Sequence, residues 1–343
     1  MPSLAHTSIG RARLRRRIVT IPGVFLVTAL LLLLLVPVLV IGGLIDICYR
    51  RPLSTVRLIL FTLWWLLVES FGLIAGFILW GYFRPGKRLA NQRSIQAHTV
   101  VQRIWIKALV TAARLFLGLK IKVEGDSLEN KVGPFIILAR HGSQGDALLI
   151  AAMLGRLKIR PRVILKKELL QDPCFDVFGN RLRNYFVDRD TVDNFEEVAS
   201  IGQLAAEMNP DEATLIFPEG TRFSLPKLKK SIASLQATAP SRVKSAKNLR
   251  SVLPIRSPGI LAILKNAPEA NLIFINHVGV SQFRSIKDIW RNTPLPTDLH
   301  FNITFLPRNE APDSASQDEL IKFIDSRWEE IDDWVVTNQQ ALS

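Results

Sequence analysis

The chain has 343 residues, 48% of them hydrophobic, with a formal charge of +14 and only two cysteines. Its pI near 10.1 points to an anionic partner, but residues 1–117 hold 15 Lys and Arg against two acids, whereas the remainder is balanced to within one charge. Nucleic acid is therefore disfavoured, the more so without an aromatic stacking pattern. Cys48 and Cys174 give neither a disulfide framework nor a metal-type spacing, so no metal or cofactor is expected and the pair fits a reducing compartment.

In chain order, residues 1–17 form a basic tail containing "RARLRRR", which the positive-inside tendency places on the cytoplasmic side. Residues 18–45 then run for 28 positions without a charge, interrupted by Pro22 and Pro37. A helix of that length reaches roughly 42 Å, longer than a hydrocarbon core of about 30 Å. It is also too long for the apolar core of a cleavable signal peptide. A second run, 58–83, carries one charge, Glu69, and Trp64, Trp65, Trp80 and Tyr82 suit a membrane interface. The expectation is a membrane hairpin of two apolar helices over 18–83, in either of two forms. A spanning hairpin puts Arg50, Arg51 and Arg57 outside, while a shallow one in a single leaflet keeps them cytoplasmic. Glu69 reads as an intramembrane functional residue, or as a residue near the surface or paired within the hairpin. Residues 84–118 form an amphipathic linker helix, lying on the bilayer or packed on the domain.

From 119 the pattern changes. Strand-like runs at 119–125, 134–140, 162–166, 184–188, 213–218, 251–255, 271–278 and 299–306 are interleaved with helical ones such as "DALLIAAMLGRL" and "NFEEVASIGQLAAEM". A closing helix follows in "ELIKFIDSRWEEIDDWVV". This alternation predicts an α/β domain over 119–335, with a mixed, partly parallel sheet flanked by helices and a tail at 336–343. Ligands of such sheets bind beyond the carboxyl ends of the strands, where "HGSQGD", "VDRD" and "FPEGTR" fall.

His141 and Asp146 stand five positions apart, about 140° around a helix, and meet only if His141 lies in the turn before a helix that Asp146 begins. Asp146 would then fix the imidazole tautomer and leave the other ring nitrogen as a base. Amides near Gly142–Asp146 would hold an oxyanion. The alternative is a surface histidine with a helix-capping aspartate. Ser143 is a poor nucleophile for His141, because two residues in a tight turn reach each other badly. In "FPEGTR", Pro218 and Gly220 shape a turn that presents Glu219, Thr221 and Arg222. The guanidinium suits a phosphate, and a Glu–Arg structural pair is the other reading. Residues 220–268 contain ten basic residues and no acid, which reads as contact with anionic headgroups or a phosphorylated donor, or as a plain basic loop.

"HGSQGD" followed by "FPEGTR" resembles the glycerolipid acyltransferase superfamily, in particular its lysophosphatidic acid acyltransferases. "LKKELLQDPCFDVFG" and "NYFVDRD" are similar to that family's second block, and "SVLPIRSPGIL" to its fourth, though with Ile255 before Arg256 in place of a more proline-rich form. The spacing from "FPEGTR" to "LPIRSPG" and the closing "RWEEIDDW" resemble the lysocardiolipin-acyltransferase-like branch. The resemblance implies His141 as general base with Asp146 as its partner. It implies Glu219, Gly220, Thr221, Arg222 and Arg189 as substrate-binding residues. The implied reaction moves a fatty acyl group from acyl-CoA or acyl carrier protein, the co-substrate, to the hydroxyl of a lysophospholipid, foremost 1-acylglycerol 3-phosphate. Another lysophospholipid, of the lysophosphatidylglycerol or lysocardiolipin type, is the alternative acceptor. An inactive membrane-bound lipid-binding protein is the alternative of a different class, opposed by the four intact motif residues. The expected surroundings are membrane lipids, at a bacterial inner membrane with the catalytic domain on the cytoplasmic side.

Overall fold

Seven of the eight strand-like segments pair into one sheet. The computed structural model describes residues 10–84, 89, 91–143, 145–187, 195–279, 285–313 and 316–341. Helices α1 (Gly10–Leu33), α2 (Leu35–Cys48), α3 (Ser54–Phe83) and α4 (Gln92–Leu117) precede strand β1 (Ile121–Gly125). There follow β2 (Phe135–Ala139), α5 (Asp146–Arg156), β3 (Arg160–Lys166), α6 (Pro173–Gly179), β4 (Tyr185–Val187), α7 (Phe195–Ala205) and β5 (Glu212–Ile216). The chain continues through α8 (Leu225–Thr238), α9 (Val243–Asn248), α10 (Ser257–Asn266), β6 (Asn271–Val278), α11 (Ile286–Asn292), β7 (Leu299–Leu306) and α12 (Gln317–Ala341).

The strand order is β1-β7-β6-β2-β5-β3-β4, with every pair parallel except β6 and β7. This is the mixed α/β sheet that the alternation predicts. All five residues of β2 are buried, as a central strand covered on both faces requires. The period of two divides them between two cores. Phe135, Ile137 and Ala139 pack under α4, α5 and α6, and Ile136 and Leu138 pack under α7, α10 and α12.

The eighth segment, 251–255, is buried but forms no strand. Its amides are taken by side chains. Asp332 of α12 accepts from the N–H groups of Arg250 (3.0 Å), Ser251 (2.6 Å) and Val252 (3.1 Å), and Trp328 Nε1 donates to the Leu253 carbonyl at 3.0 Å. The acid-free stretch is likewise met by the acids of α12: Arg242 pairs with Asp325, and Arg250 with Asp332 and Asp333. Two of its ten basic residues, Arg242 and Arg250, are thus paired with acids of the domain.

The first apolar run is two helices rather than one. The break at Leu34 lies just before Pro37, whose ring crowds the carbonyl four residues earlier and which has no N–H to give. α1 and α3 are each long and apolar enough to cross a membrane. Outward side chains of the two, including Leu33, Phe71 and Phe77, are about 70–77% exposed. Such a face is unfavourable in water and suited to lipid. α4 buries Trp105, Ile106, Leu109 and Val110 in the core, so it packs on the domain, and leaves Val100, Ile104 and Leu115 exposed. Glu69 is buried where α3 meets α4, accepting from Trp65 Nε1 (3.2 Å) within the hairpin and from Trp105 Nε1 (3.0 Å) of α4 outside it.

Candidate active site

The carboxyl ends of β6, β2, β5 and β3 lie side by side, and four polar segments leave from them. β2 ends at Ala139, so Arg140 and His141 occupy the turn, and α5 starts at Asp146. That is the geometry the five-residue spacing requires. His141 Nδ1 lies 3.2 Å from Asp146 Oδ2, and the same oxygen accepts from the N–H groups of Gly142 (2.7 Å) and Ser143 (2.8 Å). Ser143 Oγ donates to Asp146 Oδ1 and accepts from Gly145 N at 3.1 Å. The serine is therefore spent on shaping the turn, and it is buried. Three of the amides expected to hold an oxyanion, those of Gly142, Ser143 and Gly145, are committed to side chains of the turn itself.

Sequence reasoning missed His277, at the end of β6. It is fully buried, with Nε2 3.4 Å from Asp146 Oδ1 and 3.2 Å from the Arg140 carbonyl. Asp146 thus lies between two imidazoles. Burial alone raises its carboxyl, but the opposing effects of His277, His141 and Ser143 hold it well below the ordinary carboxylate range. The positive end of α5 acts in the same direction. The signal in the sequence was a histidine next to Asn276 in a largely apolar strand, which more often marks a core residue.

Glu219 departs from its expected contact with substrate. It is 2% exposed, and both oxygens accept backbone amides: Oε1 from His141 N (2.7 Å) and Oε2 from Leu253 N (2.8 Å). Complete burial pushes its carboxyl up to about 7, against the pull of Arg140. Glu219 thus joins the "HGSQGD" turn to the "LPIRSPG" segment from below. Arg140, also buried and also missed, gives Nη1 to the His277 carbonyl (2.6 Å) and Nη2 to that of Ser251 (3.3 Å).

Above this layer lies a cleft of about 290 Å³ lined by His141, Lys166, Phe217, Gly220, Thr221 and Arg256, among others. The His141 ring rests 4.8 Å from that of Phe217. With Nδ1 engaged by Asp146, Nε2 is the nitrogen available to a molecule in the cleft. Gly220 has φ +67°, and a Cβ there would come within 3.0 Å of Arg256 Cδ, so the turn needs glycine both for its backbone and for the approach of that arginine. Gly220 and Thr221 line the cleft as expected. Its basic lining comes from Lys166 and Arg256, whereas Arg222 lies beside it, with its carbonyl accepting from Lys227 Nζ at 3.1 Å. Arg189 lies outside the described residues.

Residues 120–255 match the family model described as Acyltransferase, a segment that holds both turns, His141 and Glu219. That segment carries an acyltransferase domain. The fold of the acyltransferase is similar to the crystal structure of the 1-acyl-sn-glycerophosphate (LPA) acyltransferase PlsC from Thermotoga maritima. That similarity has a TM-score of 0.50 and 18% identity, over 81% of this chain and 96% of that one. No curated protein sequence matches the chain. In this acyltransferase the sheet brings His141, Asp146, Glu219, Gly220 and Thr221 to one edge, 78 residues apart in sequence at the widest hydrogen bond from His141.

Proposed function

We propose that the acyltransferase moves a fatty acyl group from acyl-CoA or acyl carrier protein to the free hydroxyl of a lysophospholipid, with 1-acylglycerol 3-phosphate as the acceptor. The observation that carries this reading is the His141–Asp146 pair, a ring on the cleft wall held through Nδ1 by a buried carboxylate. The acceptor oxygen attacks the thioester carbonyl while His141 Nε2 takes its proton. Asp146 stabilises the imidazolium. Collapse of the tetrahedral intermediate expels the thiolate, which takes the proton back from His141, giving an ester and a free thiol. No acyl-enzyme forms. Lys166 and Arg256 are the cations that face the acceptor's phosphate, and Glu219 is a positioning residue. Acyl transfer to a lysophosphatidylglycerol or lysocardiolipin acceptor, in line with the branch resemblance, differs only in headgroup. Purified protein in detergent, given labelled acyl-CoA or acyl carrier protein and a panel of lysolipids, should acylate 1-acylglycerol 3-phosphate fastest. No transfer to any lysolipid would overturn the reading.

The membrane association we propose is the one-leaflet form, on the cytoplasmic side of a bacterial inner membrane. Its support is that α3 touches the acyltransferase domain at both ends. Near its start, Ser54 Oγ donates to the Thr293 carbonyl and Trp290 Nε1 to Thr55 Oγ1 at 2.8 Å. Towards its end, Arg181 Nη1 donates to the Gly76 carbonyl at 2.6 Å, and Gly72 and Gly76 let α6 approach so closely that a Cβ on Gly72 would meet Cys174 Sγ at 2.8 Å. A helix held along its length by a domain on one side cannot also cross to the other. Cys48 is exposed and Cys174 buried, so an impermeant maleimide reads Cys48 alone. In sealed vesicles Cys48 should label from the same side as the catalytic domain, and labelling from the opposite side would establish the spanning form.

A further inference from the structure

A second cavity, about 540 Å³, opens between α1, α3 and α6 and shares no lining residue with the cleft. Arg17 and Arg181 line one end, and Ile21, Phe25, Ile74 and Phe77 line the rest. It is built like an amphiphile, polar at one end and apolar along its length.

The polar end has an excess of cations. Asp176 of α6, fully buried, accepts from Arg16 Nη2 (2.8 Å) and Arg17 Nε (3.0 Å), and its carbonyl accepts from Arg17 Nη2 (3.0 Å). Arg181 is tied to the Gly76 carbonyl and to His98 Nε2 (3.1 Å), with no acid among those partners. Burial, and then the charge of Arg17, push Arg181 down to about 10. Arg13, one helical turn before Arg17, has its Nε and Nη2 buried without a hydrogen-bond partner. Arg16 and Arg17 therefore share one carboxylate, which Arg13 also feels, while the charge of Arg181 adds to that of Arg17, and a buried guanidinium N–H left unpaired is costly. A phosphate diester supplies both the charge and the oxygens, in the geometry that a guanidinium fork accepts. Phe77 and Ile74, 70% and 46% exposed, continue the cavity onto the outward apolar face of α3.

We infer that this groove holds one anionic glycerophospholipid as a resident ligand, its phosphate on Arg13, Arg17 and Arg181 and an acyl chain along Ile21, Phe25, Ile74 and Phe77. The site is separate from the catalytic cleft and does not depend on the acyl-transfer reading.

The test uses the full chain in mild detergent, equilibrated with micelles of phosphatidylglycerol or phosphatidylcholine with identical chains, and counts bound lipid by native mass spectrometry. About one phosphatidylglycerol per chain should be retained, with phosphatidylcholine about tenfold weaker, equivalent to about 1.4 kcal/mol. Arg13→Gln should weaken phosphatidylglycerol about tenfold without lowering the melting temperature, since the described Nε and Nη2 make no hydrogen bond that folding needs. Ile74→Trp, which fills the groove, should reduce both lipids. His141→Ala should retain phosphatidylglycerol as the unaltered chain does. Equal retention of the two lipids would overturn the headgroup assignment. Unchanged retention in both Arg13→Gln and Ile74→Trp would overturn the site, and loss in His141→Ala would move the lipid to the catalytic cleft.

Discussion

The His141 cleft and the α1–α3–α6 groove are both built around a fully buried aspartate next to an apolar wall, yet they differ in what the aspartate faces. Asp146 faces two imidazoles, His141 and His277. Asp176 faces two guanidinia, Arg16 and Arg17. An imidazole exchanges its proton near neutral pH, whereas a guanidinium stays charged. The first arrangement can pass a proton to and from a bound molecule, and the second can only hold an anion. The surroundings agree with that division. Asp146 is fixed by amides of its own turn, which orient one ring nitrogen with little freedom, while Asp176 draws the basic segment of α1 down onto the domain.

The sharpest way to break this comparison is to remove the base. His141→Ala should lower kcat by about 10²–10⁴-fold in protein that still melts cooperatively, as loss of a general base does. Folded protein with near-normal turnover would remove the distinction between the two sites. The matching change at the other aspartate, Asp176→Asn, should instead lower the melting temperature, because Arg16 and Arg17 lose a buried partner, while residual folded protein keeps its kcat.

Asp146→Asn should lower kcat and also stability. The two carboxylate oxygens accept from His141, Gly142, Ser143 and His277, and an amide offers one acceptor and turns donors towards the rest. A loss of about 1–3 kcal/mol follows for each donor left unmet. The double change with His141→Ala should cost little more in kcat than His141→Ala alone, since both serve one proton transfer. Additive losses would separate the two residues.

Glu219 and Asp146 should respond to pH in opposite ways. Glu219 is raised in the fold from an ordinary 4.5 to about 7, so its contribution is fully present below about 4.5 and is lost as pH rises towards 7. Asp146 is depressed, so its contribution is present above the ordinary carboxylate range and is lost as pH falls below it. Glu219→Gln should flatten the decline in melting temperature between about pH 4.5 and 7. An unchanged slope would show that Glu219 is ionised throughout.

The smallest effect concerns the cations of the cleft. Arg256→Lys should raise the acceptor KM about tenfold, about 1.4 kcal/mol, with kcat and the donor KM little changed, and Arg222→Lys should do less. The reverse order would return the phosphate contact to Arg222.

Periodicity and spacing determined a good deal here. The strands at 271–278 and 299–306 match β6 and β7 residue for residue, because their apolar runs are bounded by turn residues on both sides. The His141–Asp146 pairing was legible for a local reason, since a turn followed by a helix start leaves few ways for two side chains five residues apart to meet. The contacts made across the chain were not legible. Whether "SVLPI" pairs as a strand was decided by Asp332, some 80 residues away, which takes its amides first. Glu219 reads as a substrate contact until the fold buries it under the His141 turn, and His277 reads as core until β6 lies beside β2. The same holds for the hairpin. Sequence gives apolar length, but only the docking of α3 at both ends bears on how that length meets a bilayer. Local patterns fix what a segment can be. Which buried polar group receives which partner depends on strand order and helix packing, which no local pattern encodes.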